Sequence, residues 1–205
     1  ENEDQSVKSY DNQKDLYFTM CEELKKSIEV LEKVDFSDRS YSSFDLVYDG
    51  DFSKWVKYAN SLLLRIAIRM SNVAPKEARE LAEYAVSKGV ILDNSDNAML
   101  KTTDNPINKM ANIWGDSRVG AEITEYMDAF SDPRREKFFS QVPSRTGSSI
   151  YFGLRSGINS SFLLDKNNYS TPKVIANSPI YWITASEVAF LKAEAALYGW
   201  NMNDN

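Results

Sequence analysis

The sequence contains no histidine. That removes the commonest general base and the commonest metal ligand, so Ser-His-Asp and Cys-His catalysis are excluded. There is a single cysteine, Cys21, which excludes an internal disulfide and any cysteine-cluster zinc site. No apolar run reaches the roughly 18 residues of a membrane span, and the first residues do not read as a signal peptide. Neither a glycine-rich phosphate loop nor a nucleophile elbow occurs. Basic clusters are also missing. The net charge is −6, and residues 1–51 hold 14 acids against 6 bases. Nucleic acid and anionic lipid both demand clustered Lys and Arg, so neither suits this chain.

What is present is an ordinary globular composition. Of 205 residues, 42% are hydrophobic and 12% aromatic, enough for one domain of usual size or two small ones. Residues 1–14 are polar and read as a tail. From about 15 to 33, Leu16, Met20, Leu24, Ile28 and Leu31 recur at helical spacing with charge on the opposite face. A second helix is expected over 51–72. Trp55, Ala59, Leu62, Leu63, Ile66 and Met70 make a broad apolar face, and Leu64 and Ile68 carry it round the back, which marks a buried helix. Arg65 and Arg69 interrupt it and are expected to pair with acids such as Glu187 or Glu194. Asn60 is expected to bond a neighbouring backbone group. Pro75 opens a third helix and Gly89 stops it. The short turn between helices two and three predicts an antiparallel hairpin.

The rest is less regular. Residues 91–119 read as a long connection, the kind that is usually functional or mobile. A short helix over 121–130 is expected to turn Ile123, Tyr126, Met127 and Phe130 inward, and Asp132-Pro133 to end it. Residues 140–179 show no helical period; Ile150, Phe152 and Leu154 alternate as one strand would. A last helix starts at Thr184, with Glu187 three residues on as a capping box and Trp182 as a hydrophobic staple. Helical hairpins with small residues at the crossing suggest a tetratricopeptide-type repeat. The expected fold is all-α: tetratricopeptide-like hairpins carrying long irregular loops.

Four blocks then resemble one family. Residues 48–69 hold Gly50-Asp51, Lys54-Trp55, Ala59-Asn60-Ser61-Leu62, Arg65 and Arg69. Residues 183–196 hold Ala185-Ser186-Glu187-Val188, Phe190-Leu191 and Ala193-Glu194-Ala195-Ala196, followed by Gly199-Trp200. Asp132-Pro133-Arg134 and the helix from Tyr17 to Leu31 complete the set. In this order they resemble the SusD/RagB-like proteins of Bacteroidetes. The resemblance implies surface lipoproteins of the outer membrane that bind glycans over a TonB-dependent transporter without cleaving them and without a cofactor. It covers residues 15–205 as one partial helical domain. It also implies that the lipid-acceptor region and final helices of the family lie outside this chain. Cys21 lies within an amphipathic helix and so is not the lipidated cysteine.

Sugar recognition needs flat aromatic faces and nearby polar groups. Trp114 is the best placed, in the polar run Asn112 to Arg118, with Asn112, Asp116 and Arg118 beside it. Tyr151, Phe152 and Arg155 form a second candidate, and Tyr169 a third. For each, packing on the scaffold is the plain alternative. Trp55 and Trp200 read as core. Asp93, Ser95 and Asn97 have a superficial calcium-loop spacing, but no glycine or terminal Glu follows, so an Asx turn is expected. Thirty acids guarantee some carboxylate pair at glycosidase spacing, so that signal carries no weight. Oligosaccharide and a TonB-dependent transporter are the expected partners. The alternative is a helical-repeat module that binds protein rather than glycan.

Overall fold

A computed structural model describes residues 10–158 and 165–203. It is mostly helical, as expected, with a few very short strands. The chain forms two compact units. The first comprises the described residues up to Leu100 together with those from Tyr181 onward; the second spans Lys101–Ile180.

Unit 1 is a helical scaffold built round α2 (Phe52–Met70). α1 (Gln13–Leu31), α3 (Pro75–Lys88) and α7 (Ala185–Leu197) all pack on it, α3 most extensively. Leu63, Leu64, Ala67 and Ile68 are all buried, so α2 is covered nearly all round. Alanines 78, 82 and 85 are fully buried on α3 and let the two axes approach closely. Gly89 then ends α3 with φ 98°, a conformation that favours glycine. On α1 the buried stripe begins at Tyr17. Leu16 faces water, because the partner-facing positions fall on Tyr17, Met20, Cys21, Leu24 and Ile28. Burial pushes the Cys21 thiol up, which suits a packing role.

The link between α1 and α2 is organised by one carboxylate. Asp45 accepts hydrogen bonds from the N–H groups of Val47, Tyr48 and Gly50 and from Trp55 Nε1, at 2.8–3.1 Å. Burial raises the pKa of Asp45, but these four donors outweigh it and hold the carboxyl below its ordinary range. Residues 93–97 form the expected Asx turn, with Asp93 Oδ1 accepting from Ser95 N at 2.7 Å. β1 (Ala98–Leu100) then pairs with β4 (Ile180–Ile183).

α7 departs from its sequence reading in two details. Thr184 Oγ1 accepts from Glu187 N at 3.3 Å, but the Glu187 carboxylate does not reach back. It takes Arg65 instead, at 2.6 and 2.8 Å, so the expected ion pair forms and the box is only half closed. Asn97 Oδ1 caps a further α7 amide, that of Ala185, at 2.7 Å. The staple positions belong to Ile183 and Val188, both buried in the main core, and not to Trp182. Trp182 lies against Trp55 and Tyr58. Asn60 also corrects its expectation: it is fully buried, and neither amide atom has a hydrogen-bond partner among the described residues.

Unit 2 is held by a network of backbone bonds. α4 (Pro106–Asn108) runs into a π-helical turn at Lys109–Ile113; α5 (Ala121–Ala129) and α6 (Arg135–Phe138) follow. β2 (Val142–Pro143) and β3 (Ser149–Ile150) form an antiparallel pair, Val142 opposite Ile150. The core is small: Val119, Met127 and Phe139, with Tyr151 against them. α5 buries Thr124 and Met127 only; Ile123, Tyr126 and Phe130 face outward. Gly153 lies against Gly120, Ala121 and Thr124, and that contact fixes which side of α5 faces in.

Candidate functional site

Every sequence candidate for ligand contact falls in unit 2. Trp114 ends the π turn. Its N–H donates to the carbonyl of Lys109, five residues back, at 2.8 Å. A π turn widens the backbone by one residue and often marks functional positions. Here it lifts the indole out, leaving Trp114 61% exposed beside exposed Ile113 and Met110. Asp116, also exposed, follows Gly115, whose φ of 70° makes the turn.

Asn112 and Arg118 are occupied by the protein itself. Asn112 Nδ2 donates to the carbonyl of Val174 at 2.9 Å and to Asn108 Oδ1 at 3.1 Å. Arg118 Nε donates to the Lys166 carbonyl at 2.8 Å. Its Nη1 reaches the carbonyls of Ser117, Gly115 and Ala111 at 2.7, 3.2 and 3.4 Å. One guanidinium thus stitches the Trp114 turn to itself and to residue 166. Five rigidly placed donors suit Arg to that task.

The second candidate region is re-sorted by the pleat. Tyr151 turns inward onto the small core, and the Arg135 guanidinium carbon lies 5.6 Å from its ring centre. Gly153 is buried. Ile150 and Phe152 therefore point outward, on the side of the chain opposite Tyr151 and Gly153. The decisive cause is Gly153, where an added Cβ would lie 2.4 Å from the Gly120 carbonyl oxygen. Phe152 instead stacks with Tyr169: the ring centres are 5.3 Å apart and the planes 14° apart. The structure thus joins the second and third aromatic candidates. Arg155, just beyond, is exposed.

Two positioning residues escaped the sequence reading. Asn105 is nearly fully buried at the N-cap of α4. Its Oδ1 accepts from Ile107 N at 2.8 Å and its Nδ2 donates to the Ser178 carbonyl at 2.9 Å. An Asn before Pro was the available signal, since that pair opens helices. Ser170, fully buried, left no local signal. The Asp132-Pro133-Arg134 turn is closed by a tight ion pair. Arg134 donates through Nε, Nη2 and its backbone N–H to Asp132, whose pKa falls to about 2.

Surface grooves lie elsewhere. One of about 480 Å³ runs between α1 and α2, over Met20, Leu24, Leu62 and Ile66. Another of about 450 Å³ is walled by Tyr41, Phe44, Phe52, Trp55 and Trp182. Both are largely apolar, and the one carboxylate in the second, Asp45, is already saturated. Among the described residues no cluster of three or more Cys, Asp or Glu side chains could hold a metal ion.

The whole chain, residues 1–205, matches the model of the SusD-like family, described as Susd and RagB outer membrane lipoprotein. The chain belongs to the SusD-like family. A SusD homologue from Bacteroides thetaiotaomicron is 40% identical over 97% of this chain, with a TM-score of 0.89. One from Bacteroides uniformis is 42% identical over 95%, at 0.85. A chitin-binding SusD homologue from Flavobacterium johnsoniae is 33% identical over 100%, at 0.86. Among curated proteins none matches. The chain spans 42%, 42% and 44% of those three solved structures' lengths. The family places the protein at the outer membrane as a lipoprotein. None of the helices among the described residues is long and apolar enough to cross a membrane.

Proposed function

We propose that this SusD-like protein captures oligosaccharide at the outer-membrane surface without cleaving it and passes it to a TonB-dependent transporter. The observation that carries this reading is the similarity, along the entire chain, to a homologue described as chitin-binding. The exposed Trp114 supports it, since an aromatic face held on a stitched turn suits the apolar side of a sugar. In this reading Trp114 stacks on the ligand and Asp116 and Arg155 offer polar contacts. Asn112, Arg118 and Tyr151 act by fixing the surface. Affinity of each contact is low, and several together give useful avidity.

Calorimetry of the whole protein against a glycan panel tests the reading. At least one oligosaccharide should bind without release of shorter products, and Trp114→Ala should weaken it about tenfold, near 1.4 kcal/mol. Binding to no glycan, or hydrolysis of the bound one, overturns it. A second reading, a helical-repeat surface for a protein partner, draws on the hairpin of α2 and α3. It predicts a stoichiometric protein partner that glycans do not displace.

A further inference from the structure

A single exposed apolar ring is ordinary, but two rings stacked face to face on a fixed backbone make a flat apolar surface of the kind that ligands use. Phe152 is 48% exposed, yet its backbone is locked. Its N–H donates to Ser170 Oγ at 3.0 Å, and its carbonyl accepts from Ser170 N at 2.7 Å. The carbonyl of Ser170 accepts from Val119 N at 2.9 Å. Leu154 N donates to the Val119 carbonyl at 2.7 Å, and the Leu154 carbonyl accepts from Ala121 N at 2.9 Å. Three distant stretches of chain are thereby closed into one lattice around Phe152. Gly153 admits no side chain, so the stretch cannot slide.

Tyr169, next to Ser170, takes one face of the Phe152 ring. The exposure of Phe152 is therefore its other face and its edges. Among the described residues every other ring pair crosses at 46° or more, while this one lies at 14°. The product is a flat, double-thickness aromatic slab on a backbone that does not need to reorganise on binding. Near the two rings in the chain lie Arg155, Asn167 and Asn168, and Tyr169 carries its own hydroxyl. None of these side chains is hydrogen-bonded to another described residue, and the first three are exposed.

The geometry points to the Phe152–Tyr169 stack as a sugar platform, taking the C–H face of a pyranose whose ring hydroxyls are all equatorial. This rests on the glycan-binding reading above and names its platform and sugar class. An all-equatorial pyranose presents only C–H groups to the slab. An axial hydroxyl closes the face that carries it, because turned to the slab it would lose its water with nothing to replace it, so an all-equatorial pyranose has two faces that can meet the slab where a sugar with one axial hydroxyl has one. The equatorial hydroxyls of the favoured sugar reach outward to the free amide, guanidinium and phenol groups.

The test is calorimetry of the whole protein with three probes: cello-, chito- and manno-oligosaccharides of equal length. The first two have equatorial ring substituents and the third an axial 2-hydroxyl. The expected result is binding of at least one equatorial probe over the mannan probe. Phe152→Ala and Phe152→Leu should each lose at least tenfold in affinity, and Phe152→Tyr should keep it, with all four melting alike. Equal affinity of the wild type and Phe152→Leu for an equatorial probe overturns the platform and leaves the glycan reading standing. Preference for the mannan probe overturns the sugar class. If a broad glycan panel also gives no binding to the wild type, both fall together.

Discussion

Asn60 occupies the middle of α2 with no water access and no described partner for either end of its amide. An unpaired buried polar group costs about 1–3 kcal/mol. Leucine has a similarly branched side chain and no such debt. Asn60→Leu is therefore expected to raise the unfolding free energy by about 1 kcal/mol, read from the denaturant midpoint. A fall of that size would show that the amide is paired in solution. Its expected role as a backbone-bonding residue came from its type alone. Burial without a partner cannot be read from one residue, because it depends on what the rest of the chain brings to that spot. Arg65 is the opposite case. A long cation among apolar neighbours has to find an anion; that argument leaves Glu187 and Glu194 both open, and the structure supplies Glu187.

At the level of elements, legibility tracks length. α1, α2, α3 and α7 each repeat their apolar pattern over at least three turns, so their existence and ends were readable within two residues. The stop at Gly89 and the start at Pro75 rest on backbone chemistry that is local by nature. α5 has nine residues, and its two possible apolar faces differ by one position. The choice is made by Gly153 from another part of the chain, so of the four residues expected inward only Met127 is buried, while Ile123, Tyr126 and Phe130 are exposed. The cap of α7 couples elements: Glu187 was readable as a capping residue, but Arg65 on α2 claims its carboxylate. The pair is charge-assisted and half-buried, so Glu187→Ala is expected to lower stability by about 1–3 kcal/mol. Arg65→Met should recover part of that loss in the double variant, by removing the unpaired cation. Equal melting of wild type and Glu187→Ala would mean that α7 is held by Val188 and Ala195 alone.

Over the whole molecule the two units differ in what makes them. Unit 1 is a core problem, and core patterns are written into the sequence as periodicity. Unit 2 is a hydrogen-bond problem. Val119, Phe152, Leu154 and Ser170 meet through backbone atoms, which every residue possesses, so nothing in the sequence marks the meeting. That is why Trp114 was visible as a candidate, being a large ring in a polar run, whereas the pairing of Phe152 with Tyr169 was not. It is also why the bonds of Asn112 and Arg118 to backbone carbonyls are not legible from the residue types. On the proposed function, glycan binds on the aromatic surface of unit 2 and not in the apolar grooves of unit 1. Hydroxyl-radical footprinting of the whole protein, with and without a bound oligosaccharide, tests it directly. Protection is expected at Trp114, Phe152 and Tyr169, with Tyr17, Met20 and Phe44 unchanged. Protection confined to the α1–α2 groove or to the Tyr41–Trp182 groove would contradict it.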